Sequence, residues 1–161
     1  MGLFDFMKGK KGTVISAPVK GECIPISEVA DPTFAEEILG KGIAIKPADG
    51  KITAPADGVI TTVFPTGHAI GLTTPDGVEI LVHVGLDTVQ LKGQFFHTVA
   101  EPDQNVKAGD LILEADIDEI RKAGYDTVTP MIICNTPDFS SITCKTEGMV
   151  EAGEEVITCV K

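Results

Sequence analysis

The chain has 161 residues, 43% of them hydrophobic, with 17 glycines, 10 prolines, a single tyrosine and no tryptophan. This composition argues against a helical bundle and predicts one sizeable core built from short strands and many turns. The 24 acidic residues outnumber the 13 basic residues, and the resulting net charge of −11 argues against nucleic acid as a partner and favours recognition of cationic surfaces.

The first twelve residues differ in character from the rest of the chain. Residues 3–7 are mostly apolar, and three lysines follow them at positions 8, 10 and 11. We expect residues 1–12 to form a flexible tail that can touch an anionic membrane surface weakly, and residues 13–161 to form a single domain. The sequence shows no transmembrane span and no signal peptide, which predicts a cytoplasmic protein.

Beyond the tail, short strands alternate with glycine turns, and two pairs of turns resemble each other. The segment APVKGE at 17–22 is similar to APADGV at 54–59, and VKAGD at 106–110 is similar to VEAGE at 150–154. Such repetition predicts an internally duplicated β architecture. Helix is expected only in two short segments, residues 33–39 after Asp31 and Pro32, and residues 117–123 after Asp116.

The most informative segment is the apolar run that ends at His83. Alternation places Val78, Ile80, Val82 and Val84 on one face of a strand and His83 on the other, so the imidazole points away from the most apolar face. A shorter strand begins near His68, and the segment TPDG at 74–77 that links the two strands has the composition of a hairpin turn.

Two registers of this hairpin are open. If Pro75 and Asp76 are the two loop residues, His68 lies directly opposite His83, with Cβ atoms roughly 4.5–5.5 Å apart. If Gly77 takes a left-handed bulge position, the two histidines lie on opposite faces, unless an irregularity near Gly67 or Gly71 restores them. We expect the first register.

Two adjacent imidazoles can bind a metal, catalyse proton transfer or carry a phosphoryl group on a ring nitrogen. A zinc site normally needs three protein ligands, and Asp87 is only a weak third ligand. Zinc bound adventitiously, or with a ligand supplied by a partner, is therefore an alternative use of the pair. His97 lies outside this setting and is expected to be a structural or surface residue.

The cysteines support an intracellular location. They are widely spaced and lack any CxxC motif, which predicts buried thiols rather than a disulfide framework. No GxSxG motif or activated cysteine motif is present, which argues against a hydrolytic triad. The four cysteines are Cys23, Cys134, Cys144 and Cys159.

Several segments together resemble one family, the glucose-type IIA proteins of the bacterial phosphoenolpyruvate:sugar phosphotransferase system. The resemblance covers nearly the whole chain and is strongest in FAE at 34–36, GIAIKP at 42–47, APADG at 54–58, HA at 68–69 and VHVGLDTV at 82–89. It implies an antiparallel β-sandwich with few short helices, so the expected fold is an all-β sandwich and barrel hybrid with internal duplication. It also implies a phosphotransferase component that needs no cofactor.

The resemblance assigns roles to the two histidines. His83 is expected to carry the phosphoryl group, and His68 is expected to stabilise it. A backbone carbonyl at Gly85 is expected to accept the Nδ1 proton of His83 and leave Nε2 free to attack, while the hydroxyl of Thr66 orients His68.

The implied partners are the phosphorylated protein HPr as donor and the cysteine-bearing IIB domain of a sugar permease as acceptor. A surface that meets both should have an apolar centre and an acidic margin. The expected docking residues are Phe34, Ile38, Leu39, Phe64 and Leu81 at the centre, with Asp31 and Asp87 at the margin.

Two alternatives from other functional classes remain open. One is a purely regulatory protein that binds transporters or kinases, a role that is compatible with phosphoryl transfer. The other is a lipoyl or biotinyl carrier module, or a zinc-peptidase-like module, on a related fold. The chain has no lysine in a hairpin setting such as MKM and no HxH motif, which argues against both of these modules.

Overall fold

The structure is a computed structural model that describes residues 12–161. The expected tail therefore lies outside the described residues, apart from Gly12. Within the described part, no helix is both long enough and apolar enough to cross a membrane. The strands are β1 (Thr13–Ser16), β2 (Gly21–Pro25), β3 (Lys41–Pro47), β4 (Lys51–Thr53), β5 (Gly58–Val63), β6 (Ala69–Thr73), β7 (Glu79–His83), β8 (Phe96–Thr98), β9 (Asn105–Val106), β10 (Leu111–Ala115), β11 (Thr129–Ile133), β12 (Ser141–Cys144), β13 (Met149–Val150) and β14 (Glu155–Val160).

Among residues 12–161, helix is limited to two short α-helices and three 3-10 turns. The α-helices are α1 (Pro32–Ala35) and α2 (Ile117–Lys122), and the 3-10 turns are Ile26–Glu28, Thr88–Leu91 and Thr136–Asp138. All strand pairs are antiparallel, and they form three sheets with the orders β13-β2-β3-β11-β7-β6-β5-β9, β1-β14-β12 and β4-β10-β8. The predicted all-β antiparallel fold with few helical turns is confirmed.

The internal duplication appears in matching backbone hydrogen bonds. The carbonyl of Ala17 accepts the N–H of Gly153 at 2.9 Å, and the carbonyl of Ala54 accepts the N–H of Gly109 at the same distance. Both glycines adopt φ +94°, a conformation that favours glycine. The strand pairing also repeats. The strand that begins at the end of segment 17–22 is β2, which pairs with β13, and the strand that begins at the end of segment 54–59 is β5, which pairs with β9.

Two apolar clusters hold the sheets together. The larger one fills the space between the sheets and includes Ile45, Ile60, Val82 and Leu113, all buried. The smaller one lies under α1 and the loop after β7, and it contains Phe34, Leu86, Val128 and Ile132. This second cluster supports the segment that presents His83.

The hairpin of β6 and β7 adopts the register that we did not expect. Ala69, not His68, lies opposite His83. The loop spans residues 75–77, with Gly77 at φ +87°. The physical reason is Pro75: a two-residue hairpin loop needs positive φ at its first residue, which the proline ring forbids.

An irregularity before β6 nevertheless brings the two imidazoles together. The N–H of Gly67 donates to the carbonyl of Phe64 at 2.7 Å, and Gly67 adopts φ +71°. His68 follows this turn and precedes the first strand residue, so strict alternation does not apply to its side chain. The irregularity near Gly67 therefore restores the contact that the bulged register alone would prevent.

The two α-helices fit the predicted positions unequally. The carboxylate of Asp31 accepts the N–H of Thr33 at 2.9 Å and starts α1, but the helix ends at Ala35, well before residue 39. The reason is a left-handed residue, because Glu37 adopts φ +58° and breaks the helical run. The second helix matches the predicted range to within one residue.

The cysteines are all free, and three of them are at least half-buried. Cys134 is exposed, which corrects the expectation of buried thiols at that position. The apolar run that suggested burial ends with β11 at Ile133, and Cys134 is the first residue beyond the strand.

Candidate functional site

The centre of the candidate site is the pair of imidazoles. Their ring centroids are 4.9 Å apart and the ring planes cross at 79°, so one ring presents its edge to the other. His83 is half-buried at the end of β7, whereas His68 is only 4% exposed in the turn before β6. The remaining histidine, His97, is exposed on β8, as expected for a surface residue.

The ring of His83 is held by a backbone carbonyl. Its Nδ1 lies 2.7 Å from the carbonyl oxygen of Gly85, which can only accept, so Nδ1 carries the proton. Burial lowers the pKa of His83, while the Gly85 carbonyl and the charges of Asp31 and Asp87 raise it. The net shift is downward, so near neutral pH the ring is uncharged and Nε2 keeps its lone pair.

His68 has a different environment. Its Nδ1 lies 2.5 Å from the hydroxyl oxygen of Thr66. Burial, and then the neighbouring His83, lower the pKa of His68 to about 4. The ring is therefore neutral at pH 7, and when the Thr66 hydroxyl donates to Nδ1, the proton of the ring is on Nε2.

Two phenylalanines pack against the two imidazoles. The ring of Phe34 lies 5.0 Å from that of His83, and the ring of Phe64 lies 5.3 Å from that of His68. Phe34 is only 4% exposed, so it belongs to the core and supports His83 rather than offering a surface to a partner. Phe64 and Leu81 are half-buried and keep part of their apolar surface accessible.

The other expected docking residues lie on the surface. Ile38 is 68% exposed and Leu39 is 39% exposed, both in the segment that follows α1. Asp87 is exposed, and Asp31 is partly exposed while it caps α1. Val89 is 49% exposed. Val89 was not among the expected docking residues, although its place directly after the loop of His83 could have indicated its exposure.

A metal site within this chain finds no support among residues 12–161. No group of three or more His, Cys, Asp or Glu side chains in that range is arranged to hold a metal ion. Asp87 is close enough to influence the pKa of His83, but it does not complete a three-ligand site with the two histidines. Zinc bound adventitiously, or with a ligand supplied by a partner, therefore stays a prediction.

Two residues near the site, Thr88 and Asp126, were not among the expected site residues. Thr88 is fully buried, and its hydroxyl donates to the carbonyl of Val84 at 2.6 Å. Asp126 offers its backbone carbonyl to the N–H of Leu86 at 2.9 Å. A polar threonine within the run GLDTV was a signal for the first, whereas nothing local to Asp126 indicated the second.

Comparisons with known proteins agree with one another. Residues 13–139 match the family described as phosphoenolpyruvate-dependent sugar phosphotransferase system, EIIA 1. The chain is 41% identical over 166 residues to the glucose-specific EIIA component of the phosphotransferase system (PTS) of Haemophilus influenzae, and the match covers 100% of this chain and 99% of that protein.

Further relatives include longer proteins and a solved structure. A β-glucoside-specific PTS EIIBCA component from Bacillus subtilis is 42% identical over 144 residues, which are 89% of this chain but only 24% of that protein. The structure of glucose permease IIA from Mycoplasma capricolum matches with a TM-score of 0.84 and 38% identity, covering 91% of this chain and 95% of that chain. The chain thus belongs to the EIIA 1 family of the phosphoenolpyruvate-dependent sugar phosphotransferase system.

Proposed function

We propose that this EIIA component is a phosphohistidine carrier, with His83 as the residue that is phosphorylated. The observation that supports this role is the 2.7 Å contact between Nδ1 of His83 and the Gly85 carbonyl. This contact leaves Nε2 as the only ring nitrogen with a free lone pair. HPr is the proposed donor, and a cysteine of a IIB domain is the proposed acceptor.

The proposed reception step breaks one P–N bond and forms another. The Nε2 lone pair of His83 attacks the phosphorus of the donor's phosphohistidine, and the donor's ring nitrogen leaves with the electron pair of the broken bond. The ring of His83 keeps its Nδ1 proton and gains positive charge. The Gly85 carbonyl and the nearby carboxylates of Asp31 and Asp87 stabilise that charge.

His68 is the proposed stabiliser of the phosphoryl group. When Nδ1 of His68 accepts a hydrogen bond from the Thr66 hydroxyl, the proton of the His68 ring is on Nε2. This Nε2–H can donate to a phosphoryl oxygen beside His83. In the second step, a cysteine thiolate of the IIB domain attacks the phosphorus and the bond to Nε2 breaks. His83 then returns to its starting state without loss of a proton.

The proposed partners fit the surface around the pair. Ile38 is an exposed apolar residue, and Phe64 keeps part of its apolar surface accessible. The margin carries Asp31 and Asp87 for cationic groups of the donor. The Bacillus subtilis relative bears the name EIIBCA component, which agrees with a IIB partner for this chain. Transfer of this kind needs no resident cofactor, and zinc at the pair would need a ligand from a partner.

The proposed setting of this exchange is the cytoplasm, where HPr and the IIB domain would meet the chain. The same surface is the proposed contact for regulated transporters or kinases, because the apolar area around Phe64 is available whenever HPr and IIB are absent. The sugar that a partner permease carries is set outside this site, since no sugar takes part in either proposed step.

The acceptor is tested by the intact mass of the protein after incubation with phosphoenolpyruvate, enzyme I and HPr. The parent protein should gain the mass of one phosphoryl group, and His83→Gln should gain none. Labelling of His83→Gln to the parent level would refute the assignment.

A second variant separates reception from onward transfer. His68→Gln should still accept the phosphoryl group from HPr, because it retains His83, but it should pass the group to IIB about 10²- to 10³-fold more slowly. The measurement is the rate at which the labelled protein loses its label to IIB. An unimpaired second step would contradict the role of His68.

A further inference from the structure

The carbonyl that holds His83 belongs to the peptide group between Gly85 and Leu86. The N–H of Leu86, at the other end of that peptide group, donates to the carbonyl of Asp126 at 2.9 Å. A trans peptide is planar, and its C=O and N–H point in opposite directions. The bond to Asp126 therefore fixes the direction in which the Gly85 carbonyl points, which is toward Nδ1 of His83.

The preceding peptide group, between Val84 and Gly85, is also held at both ends. Its carbonyl accepts the hydroxyl of Thr88 at 2.6 Å, and its N–H donates to the carbonyl of Val128 at 3.0 Å. Gly85 lies between the two groups at φ +81°. A Cβ on Gly85 would lie 2.5 Å from Cγ2 of Thr88, so the threonine methyl packs directly on the glycine.

The segment that provides two of these contacts is itself fixed by a side chain. Oδ1 of Asp126 accepts the N–H of Val128 at 2.9 Å, which sets the backbone turn that aims both carbonyls of the segment at the loop of His83. Asp126 is exposed, whereas Thr88 is fully buried. Asp126 therefore fixes the loop of His83 from the protein surface, and Thr88 fixes it from the interior.

We infer that Thr88 and Asp126 are positioning residues for phosphoryl transfer, which fix the Gly85 carbonyl and thereby keep His83 in its Nδ1–H form with Nε2 directed outward. The hydrogen bonds of both side chains go to the backbone and not to the imidazole, and neither side chain needs to touch the phosphoryl group. The inference rests on the proposed function of His83. It extends that function to the residues that decide which ring nitrogen is nucleophilic.

The test uses Thr88→Val, which keeps the shape of the side chain and removes the hydroxyl. In the unphosphorylated parent protein, the ¹⁵N shifts of the His83 ring should show a single Nδ1–H form. In Thr88→Val they should show a mixture of both forms, and Thr88→Ser should restore the parent spectrum. The kcat for reception from HPr should fall about 10- to 100-fold in Thr88→Val while the KM for HPr stays unchanged, because the docking surface is intact.

A matched control is Thr74→Val. Thr74 is also buried, and its hydroxyl oxygen accepts the N–H of Val78 at 3.0 Å, but it lies at the opposite end of the β6–β7 hairpin. This variant should retain the Nδ1–H form and the parent kcat. A mixture of ring forms in Thr74→Val equal to that in Thr88→Val would overturn the inference.

A second variant, Asp126→Ala, keeps the test decisive if Thr88→Val does not fold, because Asp126 is exposed and its replacement leaves the core intact. Asp126→Ala should also produce a mixture of ring forms, because it releases the turn at 126–128. Retention of a single Nδ1–H form in Asp126→Ala and in any folded Thr88→Val would overturn the inference. The ring spectra require no phosphoryl transfer, so failure of the parent protein to accept a phosphoryl group would refute only the proposed function.

Discussion

Among single residues, the two imidazoles differ in whether neighbouring groups counter the effect of burial on their pKa. For His68, burial and the adjacent ring both lower the pKa, which reaches about 4. For His83, the Gly85 carbonyl and two carboxylates counter the effect of burial on the pKa. These environments suit the proposed roles, in which His83 becomes positively charged when phosphorylated and His68 remains a neutral N–H donor.

The low pKa of His68 predicts a loss of stability in acid. Its folded pKa of about 4 is below the unfolded value of 6.5, so its contribution is fully present above pH 6.5 and is lost as the pH falls toward 4. This difference corresponds to about 3 kcal/mol of the free energy of unfolding. Urea titrations at pH 7 and at about pH 4 measure how much of the free energy of unfolding is lost between the two pH values. This loss should be smaller in His68→Gln than in the parent protein by about the same amount.

The carboxyl groups of the protein also titrate over this range, but they do so in both proteins and cancel in the comparison. The account of His68 is contradicted if the parent protein and His68→Gln lose the same free energy of unfolding between the two pH values.

At the scale of elements, the β6–β7 hairpin positions the site. The turn at Gly77 lies at one end of the hairpin and the two histidines lie at the other. Each strand has five residues, so the two ends are roughly 17 Å apart. The turn fixes the pairing of the whole hairpin, because a shift by one residue would move every side chain to the other face.

Gly77→Ala tests the turn. Gly77 adopts φ +87°, and the nearest atom to an added Cβ is Nζ of Lys161 at 3.8 Å, so the cost comes from backbone conformation alone. The free energy of unfolding should fall by about 1–2 kcal/mol in urea titrations. Reception of the phosphoryl group by the folded variant should be unchanged, and an unaltered unfolding free energy would contradict the left-handed turn.

Much of the site could be predicted from sequence, because its signals are local. The alternation that ends at His83, the capping Asp31 and the glycines of the duplicated turns all act on near neighbours in the chain. The hairpin register depended on Pro75, because its fixed φ excludes a two-residue loop, whereas the composition of the turn alone favours one. The length of α1 depended on a left-handed Glu37, which composition does not reveal.

Contacts between distant segments were beyond sequence reasoning. The burial of Phe34 depends on its packing with Val128 and Ile132 on and beside β11. The role of Asp126 arises from a loop that reaches across to the segment after β7. Such contacts are set by the order of strands in the sheet, which local patterns do not determine.

At the scale of the whole molecule, an acidic protein presents an apolar patch beside its histidine pair. The net charge of −11 favours encounters with cationic partners, and the apolar area around Phe64 favours their retention. The eight-stranded sheet carries both β6 and β7, so the pair is supported by a rigid element. This support suits the proposed exchange, in which the donor and the acceptor would meet the same arrangement of the pair.

Docking is tested by two single substitutions, one of an apolar residue and one of an acidic residue. Phe64→Ala should weaken HPr binding by roughly 1–2 kcal/mol, and Asp87→Asn should mainly slow association and reduce its salt dependence. Binding kinetics at several salt concentrations measure both effects.

Met149→Ala is the control for this test. Met149 is 61% exposed on β13, four strands from β7, or roughly 19 Å across the sheet. The variant should bind HPr like the parent protein. Parent kinetics in both Phe64→Ala and Asp87→Asn would contradict the proposed surface.

The proposed phosphoryl transfer takes place at a single atom, Nε2 of His83. Histidine-labelled protein, phosphorylated through HPr and observed by ¹⁵N and ³¹P NMR, identifies the nitrogen bonded to phosphorus. We expect phosphorus on Nε2 of His83 with the proton retained on Nδ1. Phosphorus on Nδ1 of His83, or on either nitrogen of His68, would contradict it.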